Sequence, residues 1–590
     1  MAGRTLDLKD VVTVEAMASQ IGEKFLTWNL QRAKQVDKWR EQRNYTFATD
    51  TKTTSNSKLP WKNSTTLPKL CQLRDNLHAN YMAALFPHDD WMKWMGDDEE
   101  AEAKGKRKGI EAYMENKTRL SGFRTTVSQL VYDYIDYGNV FGTTEYVDES
   151  LVDEETGEVI PGYIGPRLVR ISPYDIVFNP LASSFEKSPK IVRYVKSLGE
   201  LNADLQDHPD KGYLEEAVQL ALSNRTKITS MSDGDSIKDE GFQMDGFGSA
   251  LEYYSSDYVE LLEFHGDLYD RESGQFYKNY VITVVDRTHI IRKEQNPSWR
   301  VNSGIRHTGW RQRPDNLYAM GPLENLVGIQ YRIDHLENLK ADVFDLIAHP
   351  VMKVRGYVED YNYGPGERIY VGDDGDVDFM RPDATALNAD MQINLLEQRM
   401  EEYAGAPKQA MGIRTPGEKT AFEVQTLENA SGRIFQNKTS YFEETFLEPV
   451  LNDMLEVSRR NMNEADTIRV MDSDIDVALF EKITKEDITA AGKIRPVGAR
   501  HFARQANMLQ NLNMFANSAL GQDPAVNAHI SGIKLAKTVE ELLGIDRFGL
   551  VEENIRVYEQ AETQRSINTN QEQLLSEQET LMAGGPGGQI

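Results

Sequence analysis

Between Gly321 and Met462 long helical patterns alternate with short stops, and no other part of the sequence constrains the fold as much. Leu323, Leu326, Ile329, Ile333, Leu336, Leu339, Val343 and Leu346 step by three or four. That period predicts an amphipathic helix over 322–348, ~40 Å long at 1.5 Å per residue. Glu324, Asp334, Glu337, Asp342 and Asp345 fall on its polar side, and His349-Pro350 ends it. Met352 and Val354 then alternate with Lys353 and Arg355 as a short strand. Residues 368–371 and 377–380 supply two more, separated by Gly372-Asp373-Asp374-Gly375. A three-stranded insert of this size buries little apolar area alone, so it is expected to pack on another copy of itself. A second helix returns over 384–404 with Leu387, Met391, Leu395, Met400 and Tyr403, and stops at Gly405 and Pro407. Thr420 and Glu423 have the spacing of a capping box and open a third helix. That helix is expected to reach Met462, ~60 Å away, with bends at Gly432 and Pro449. Its sides are longer than a small domain covers and are expected to pack on neighbouring molecules.

The chain of 590 residues carries a net charge of −27, which argues against a surface that grips nucleic acid all over. It permits a passage whose walls repel phosphate. The only cysteine, Cys71, excludes a disulfide within the chain and fits a reducing compartment. It shares a helical stripe with Leu70, Leu77, Tyr81 and Leu85 and is expected to be a buried thiol and not a nucleophile. No apolar run approaches the ~18–20 residues that cross a bilayer. The start, MAGRTLDLKD, lacks the apolar stretch of a signal peptide, so a soluble protein made in a cytoplasm is expected.

Upstream, Met17, Ile21, Phe25, Trp28, Val36 and Trp39 predict one helix over 15–43, with Arg32 out of pattern. Further helices are expected over 67–86, 98–118 and 121–137, the first ended by Pro87 and the last by Gly138. From 140 the period falls to two. Strands are expected at 142–147, 167–171 and 191–195, a hairpin from 258–269 and 276–285, and a third strand at 288–292. Residues 232–249, rich in Asp, Gly and Ser, read as a loop. Residues 467–477 alternate like one strand, and the pattern is helical again from about 500 to Leu543. The Gly-rich end, 584–588, reads as flexible.

Local motifs yield no chemistry. Gly412 to Thr420 approaches a phosphate-binding loop, but Glu418 stands where Lys must follow the second Gly. Asp373, Asp374, Asp376 and Asp378 do not fit a calcium-loop register, which would place Tyr370 at the first ligand position. They read as a solvated acidic turn, and Asp472, Asp474 and Asp476 as an exposed strand face. No His-x-x-x-His pair, Cys-x-x-Cys or Gly-x-Ser-x-Gly elbow occurs, so no cofactor, metal or catalytic residue is assigned and a non-enzyme is expected. Arg287, Arg292, Lys293, Arg300, Arg306, Arg311 and Arg313, with Trp299 and Trp310, form a basic, aromatic stretch. Such a stretch suits nucleic acid or, equally, acidic partners within the chain or on a neighbouring subunit.

Residues 316–325 (NLYAMGPLEN), continuing through 334–342 (DHLENLKAD), resemble the stem entry of tailed-phage portal proteins, the head-to-tail connectors, and most of all those of short-tailed phages. Residues 405–413 (GAPKQAMGI) followed by 419–424 (KTAFEV) are similar to the family's second stem helix turning through a tunnel loop into a long wing helix, and 85–94 (LFPHDDWMKW) also resembles a family segment. The likeness spans about 60–520 and is strongest over 316–450. It implies an α+β, predominantly helical subunit with wing, stem, clip and crown: wing 1–320, stem helices 321–349 and 384–404, clip 350–383, tunnel loop 405–419, long wing helix and β return 420–500, crown and tail 501–590. It further implies a ring of twelve copies at one capsid vertex of the virion, assembled in the host cytoplasm. Double-stranded DNA would pass through it without sequence specificity, during packaging and ejection. The partners implied are the terminase large subunit, head–tail adaptor and tail proteins, and the major capsid and scaffolding proteins, with no membrane. Carried onto this chain, Lys408, Gln409, Arg414 and Lys419 would face DNA, and Tyr357, Tyr361, Tyr363 and Arg368 would meet partners at the clip. Acidic faces of the stem helices would let DNA slide. Two other readings stay open: another structural virion protein such as a tail adaptor or internal core protein, and a nucleic-acid-processing enzyme.

Overall fold

The computed structural model describes residues 15–47, 63–87, 91–97, 104–152, 159–160, 162–207, 211–223, 258–297, 303–359, 369–380, 388–404, 433–462, 465–472, 477–497 and 532–543, with a few single positions between them. The loop read at 232–249 and the end at 584–588 lie outside them, apart from two isolated positions. The architecture is α+β, with more helix than strand.

The helix expected over 15–43 is two helices, α1 (Glu15–Gln31) and α2 (Ala33–Phe47). The break is Arg32, the residue out of pattern. Its guanidinium is buried and donates to the carbonyls of Pro173 (2.6 Å), Ile176 (2.8 Å) and Tyr174, and to Asn29 Oδ1 (3.0 Å). A charge is tolerated on this apolar stripe because oxygens satisfy its donors. Next come α3 (Lys69–Leu85), β1 (Met92–Gly96), α4 (Lys104–Leu120) and α5 (Phe123–Asp136). Gly138 follows α5 at φ +66°, and a Cβ there would meet Gly321 N at 2.3 Å, so only glycine fits the turn.

The strands that follow are β2 (Asn139–Asp148), the short pair β3 (Leu151–Val152) and β4 (Val159–Ile160), β5 (Ile164–Ile171), β6 (Ile176–Phe178) and β7 (Lys190–Ser197). After α6 (Leu198–Asp207) and α7 (Glu215–Ser223) come β8 (Tyr258–Tyr269), β9 (Phe276–Val285), β10 (His289–Gln295), β11 (Arg306–Gly309), β12 (Arg311–Arg313) and β13 (Asn316–Met320). The expected hairpin is β8–β9, in register Tyr269↔Phe276, and β10 is its third strand. These sit in a five-stranded antiparallel sheet ordered β10-β9-β8-β7-β6. Met17, Ile21 and Phe25 of α1 cover one face of it, and Leu201 of α6 with Ala217, Val218 and Ala221 of α7 cover the other. Burial on both faces explains the adjacent apolar pairs Leu261-Leu262 and Val284-Val285, whose members pack on opposite sides. A second sheet, β11-β2-β5, joins the first through an aromatic cluster of Trp39, Phe141, Tyr174, Phe178, Phe185 and Tyr318.

Helix α8 (Val327–Ala348), strands β14 (Val351–Arg355) and β15 (Asp376–Met380), and helix α9 (Asp390–Ala404) come next. The described part of the long helix is α10 (Arg433–Phe442), a π-helical turn (Glu443–Leu447) and α11 (Glu448–Asn461). The π turn stands where a bend at Pro449 was expected: the amide of Glu448 reaches back to Glu443 O, just before the proline that has no N–H to give. One side of this helix packs on its own chain: Phe446, Val450, Leu451, Met454 and Leu455 are buried where α11 lies on β2 and β5, whereas Ile434 of α10 is exposed. Gly432 and the capping box at 420–423 lie outside the described residues.

Beyond it, β18 (Gly492–Pro496) pairs with β1. A second compact unit comprises 467–482 and 499–590. Most of the strand pair β16 (Ala465–Asp472) and β17 (Val477–Thr484) belongs to it, in place of the single strand expected at 467–477, together with α12 (Gly532–Leu543). No described helix is long and apolar enough to cross a membrane.

Candidate functional site

The helices α8 and α9 form an antiparallel hairpin that carries β14–β15 at its tip. Lys340 Nζ of α8 lies 2.7 Å from Asp390 at the start of α9. Toward the other end, Lys69 Nζ lies 2.8 Å from Glu401 and 3.8 Å from Glu397. Helix α8 starts five residues later than expected, because 322–326 form turns, and its 22 residues span ~33 Å. The three-stranded insert is a two-stranded ribbon, Val351↔Met380 to Arg355↔Asp376, and the expected strand at 368–371 is reduced to one bridge, Val358↔Val371. Gly356, at φ +77°, makes the exit possible, since a Cβ there would meet Asp374 O at 2.2 Å.

The polar stripe of α8 is turned to the chain itself, contrary to expectation, while of the expected apolar stripe Ile333 and Leu336 are buried and Leu339 and Leu346 are exposed. Gln330, Asp334 and Asn338 are buried, and with Asp342 and Asp345 they line the side that faces the chain's own segment 63–70. Short polar side chains four residues apart share one helix face, and here they bond the backbone of that segment like rungs. Asn338 Oδ1 accepts from the Thr65 amide (2.8 Å) while its Nδ2 donates to Thr65 O (2.9 Å). Gln330 accepts from the Leu70 amide (3.2 Å) and donates to Leu67 O (2.7 Å) and to Asp334 Oδ1 (2.8 Å). Asp334 Oδ1 also accepts from the Leu67 amide (3.0 Å). Asp342 Oδ1 takes the Asn63 amide and, with Asp345 Oδ2, the Asn63 side chain. Segment 63–67 is not helical, and Pro68 opens α3. Outside any helix or sheet, the amides of Asn63, Thr65 and Leu67 take their partners from the rungs.

The outward side is apolar. On α8, Tyr331, Leu339, Phe344 and Leu346 are exposed. On α9, Met391 (80 %), Leu395 and Tyr403 (60 %) are exposed, while Ile393, Met400 and Ala404 face inward. Among the described residues the stripe at 391, 395 and 403 is therefore left largely uncovered. Glu324 is buried too, 3.1 Å from Lys38. The acids of α8 are therefore not a solvated wall, and the expected acidic channel face is corrected for Glu324, Asp334, Asp342 and Asp345.

Electrostatics fit this arrangement. Burial pushes the Asp334 carboxyl up to about 7, although the Leu67 amide and the Gln330 side chain pull the other way. Asp334 Oδ2 has no hydrogen-bond partner among the described residues.

Of the sequence-assigned site residues, Tyr357 is 76 % exposed beside the tip ribbon, where its carbonyl accepts from the Gly372 amide (3.1 Å). Tyr361, Tyr363, Arg368, Lys408, Gln409, Arg414 and Lys419, and the near-miss phosphate loop at 412–420, lie outside the described residues. The acidic turn is exposed at Asp373, Asp374, Asp376 and Asp378, and no group of residues able to hold a metal ion occurs among the described residues. The basic stretch resolves to partners within the chain. Arg287 meets Glu260 (2.8 Å), Arg292 meets Glu294 (2.6 Å), and Arg306 meets Asp453 (2.8 Å) and Glu186 (2.9 Å). Arg311 lies over the buried Trp310 ring. Cys71 is half-buried on the shoulder of its stripe, not in it. Burial, with Asp75 next, raises its thiol pKa, which argues against a ready thiolate.

The sequence reading missed the rungs. Their signal was present: amide and short acidic side chains at 330, 334, 338 and 342, where a solvated face more often carries Lys, Arg and Glu. No protein-family model matches the chain, and no curated protein sequence matches it.

Proposed function

We propose that the chain is a portal-type subunit: a non-enzymatic ring component, twelve copies by the resemblance, through which double-stranded DNA enters and leaves a capsid. One observation supports this reading best. The α8–α9 hairpin turns its polar side to its own chain and leaves Phe344, Met391, Leu395 and Tyr403, with parts of Leu339 and Leu346, exposed among the described residues. Exposed aromatic and aliphatic side chains along such a length mark a protein contact. A second copy of the same hairpin offers matching chemistry, and a closed ring covers every copy equally.

In this reading the tip ribbon with Tyr357 is the clip, which docks the terminase large subunit and later adaptor and tail proteins. The loop with Lys408, Gln409, Arg414 and Lys419 faces the DNA. The vertex would also contact major capsid and scaffolding proteins. Because the acids of α8 are engaged within the chain, the wall along the DNA falls to exposed polar residues of α9, among them Asp390, Gln392, Asn394, Gln398 and Glu402. That wall is closer to neutral than the sequence suggested. It suits weak, sliding contact, since each phosphate neutralised by a cation would add to the binding that slows passage.

Electron microscopy of the purified protein tests this directly. Rotationally symmetric rings with a central channel are expected, and a chain that stays monomeric at high concentration overturns the proposal.

A further inference from the structure

We propose that segment 63–70 is a proton-dependent latch, which ties the α8–α9 hairpin to the rest of the chain and lets go when the Asp334 carboxyl ionises. The inference does not depend on ring assembly.

The latch is visible in what the rungs hold. Gln330, Asp334, Asn338 and Asp342 bond backbone atoms of 63–70, and Lys69 at the end of the same segment reaches Glu401 and Glu397 on α9. One short segment therefore grips both helices of the hairpin. Because the contacts are mostly to amides and carbonyls, water can replace them once the segment lifts, and of the segment's apolar side chains only Leu70, in the first turn of α3, is fully buried.

Asp334 is the weak rung. It sits mid-ladder, with no solvent exposure and one carboxyl oxygen without a partner among the described residues. No cation bonds it. The charged groups on the elements around it are engaged elsewhere: Lys69 with Glu401 and Glu397, and Lys38 of α2 with Glu324. Arg332 and His335 belong to α8 itself, and Asp342 and Asp345 are bonded to Asn63. A neutral carboxyl is tolerable in such a place, whereas an unpaired carboxylate is costly.

The direction of the pH effect follows. The docked carboxyl holds its proton up to about 7, against an ordinary value of 3.8 once the segment lifts. The docked state thus binds one more proton between those limits. Docking is strongest at low pH, weakens about tenfold per pH unit on the way up, and levels off above about 7.

Hydrogen exchange by mass spectrometry on the full chain tests this, with intrinsic exchange rates divided out. The amides of Asn63, Thr65, Leu67 and Leu70 report on the latch, and those of β8 and β9 serve as the reference. From pH 5 to pH 7 the opening equilibrium of 63–70 is expected to rise about fiftyfold and then flatten, while the reference strands stay level. Asp334→Asn, which keeps the shape and an acceptor oxygen, is expected to abolish the rise. Asn338→Ala is expected to increase opening at every pH and to leave the slope intact. Protection of 63–70 that does not change with pH in the wild type overturns the proposal, even if Asp334→Asn fails to fold. So does an unchanged slope in Asp334→Asn, or a rise shared by β8 and β9.

Discussion

Truncating Phe344 separates folding from assembly. The residue lies on the outward side of α8 and is 62 % exposed in the single chain. A phenylalanine carries ~200 Å² of surface, which leaves ~120 Å² for a neighbour to cover. At ~25 cal/mol per Å² that burial is worth ~3 kcal/mol at each contact between copies. Phe344→Ala removes most of it, ~2–3 kcal/mol, and weakens each contact ~30- to 150-fold. Within the chain an exposed truncation changes stability by ~0.5 kcal/mol or less. Sedimentation velocity over a concentration series is therefore expected to show assembly moved to at least ~30-fold higher concentration, while the thermal midpoint of the monomer stays put. The matched control is Leu336→Ala on the buried side of the same helix, which is expected to destabilise the fold by ~2–5 kcal/mol. Assembly of Phe344→Ala at wild-type concentrations, or loss of its fold, refutes the assignment of the outward face.

Arg32→Met keeps the volume of the stem but leaves the carbonyls of Pro173, Tyr174 and Ile176 without this donor, and is expected to cost ~3–5 kcal/mol in chemical denaturation. A loss under ~1 kcal/mol would mean that water replaces the guanidinium. Burial disfavours the Glu263 carboxylate, but His265, 2.7 Å away, and Arg292 outweigh it and hold the group at about 2, below its ordinary 4.5. Its contribution is present above 4.5 and is lost as pH falls toward about 2. Glu263→Gln is accordingly expected to flatten the acid limb of a stability-against-pH curve, and an acid limb as steep as wild type would count against that pairing.

The elements that could be read from sequence are those whose period matches their surroundings. Hairpin β8–β9 and helices α3 and α5 pack their apolar residues on their own chain, so pattern and burial agree. Arg32 broke the pattern of 15–43 visibly, but periodicity cannot tell that three distant carbonyls would end the helix there. Helix α8 failed in a more instructive way. Its apolar stripe is buried at Ile333 and Leu336 as expected, but its polar stripe is buried too, because a polar stripe reads as a solvated one unless a partner for it is foreseen. That partner, 63–70, lies some 260 residues earlier as a short segment with no period of its own. The basic stretch at 287–313 is a similar case: its carboxylate partners at 186, 260 and 453 come together only in the fold.

The apolar residues left exposed on the hairpin also bear on the symmetry of any assembly. The stripe on α8 (Tyr331, Leu339, Phe344, Leu346) and that on α9 (Met391, Leu395, Tyr403) differ in composition and length. A two-fold dimer makes each contact twice with the copies exchanged and closes at two copies, whereas a ring sets the α8 stripe of one copy on the α9 stripe of the next and continues around. Net charge of −27 per copy opposes contacts that are not driven by close apolar packing, which favours one specific pairing over general clustering. Cysteine cross-linking distinguishes the two arrangements. In a Cys71→Ser background, a chain carrying both Phe344→Cys and Leu395→Cys is expected, under mild oxidation, to give a ladder of products that ends at the ring size. Each single variant is expected to stay largely uncross-linked. Efficient dimers from Phe344→Cys alone would show that α8 meets its own copy, and a head-to-tail ring could not then be the contact these stripes make.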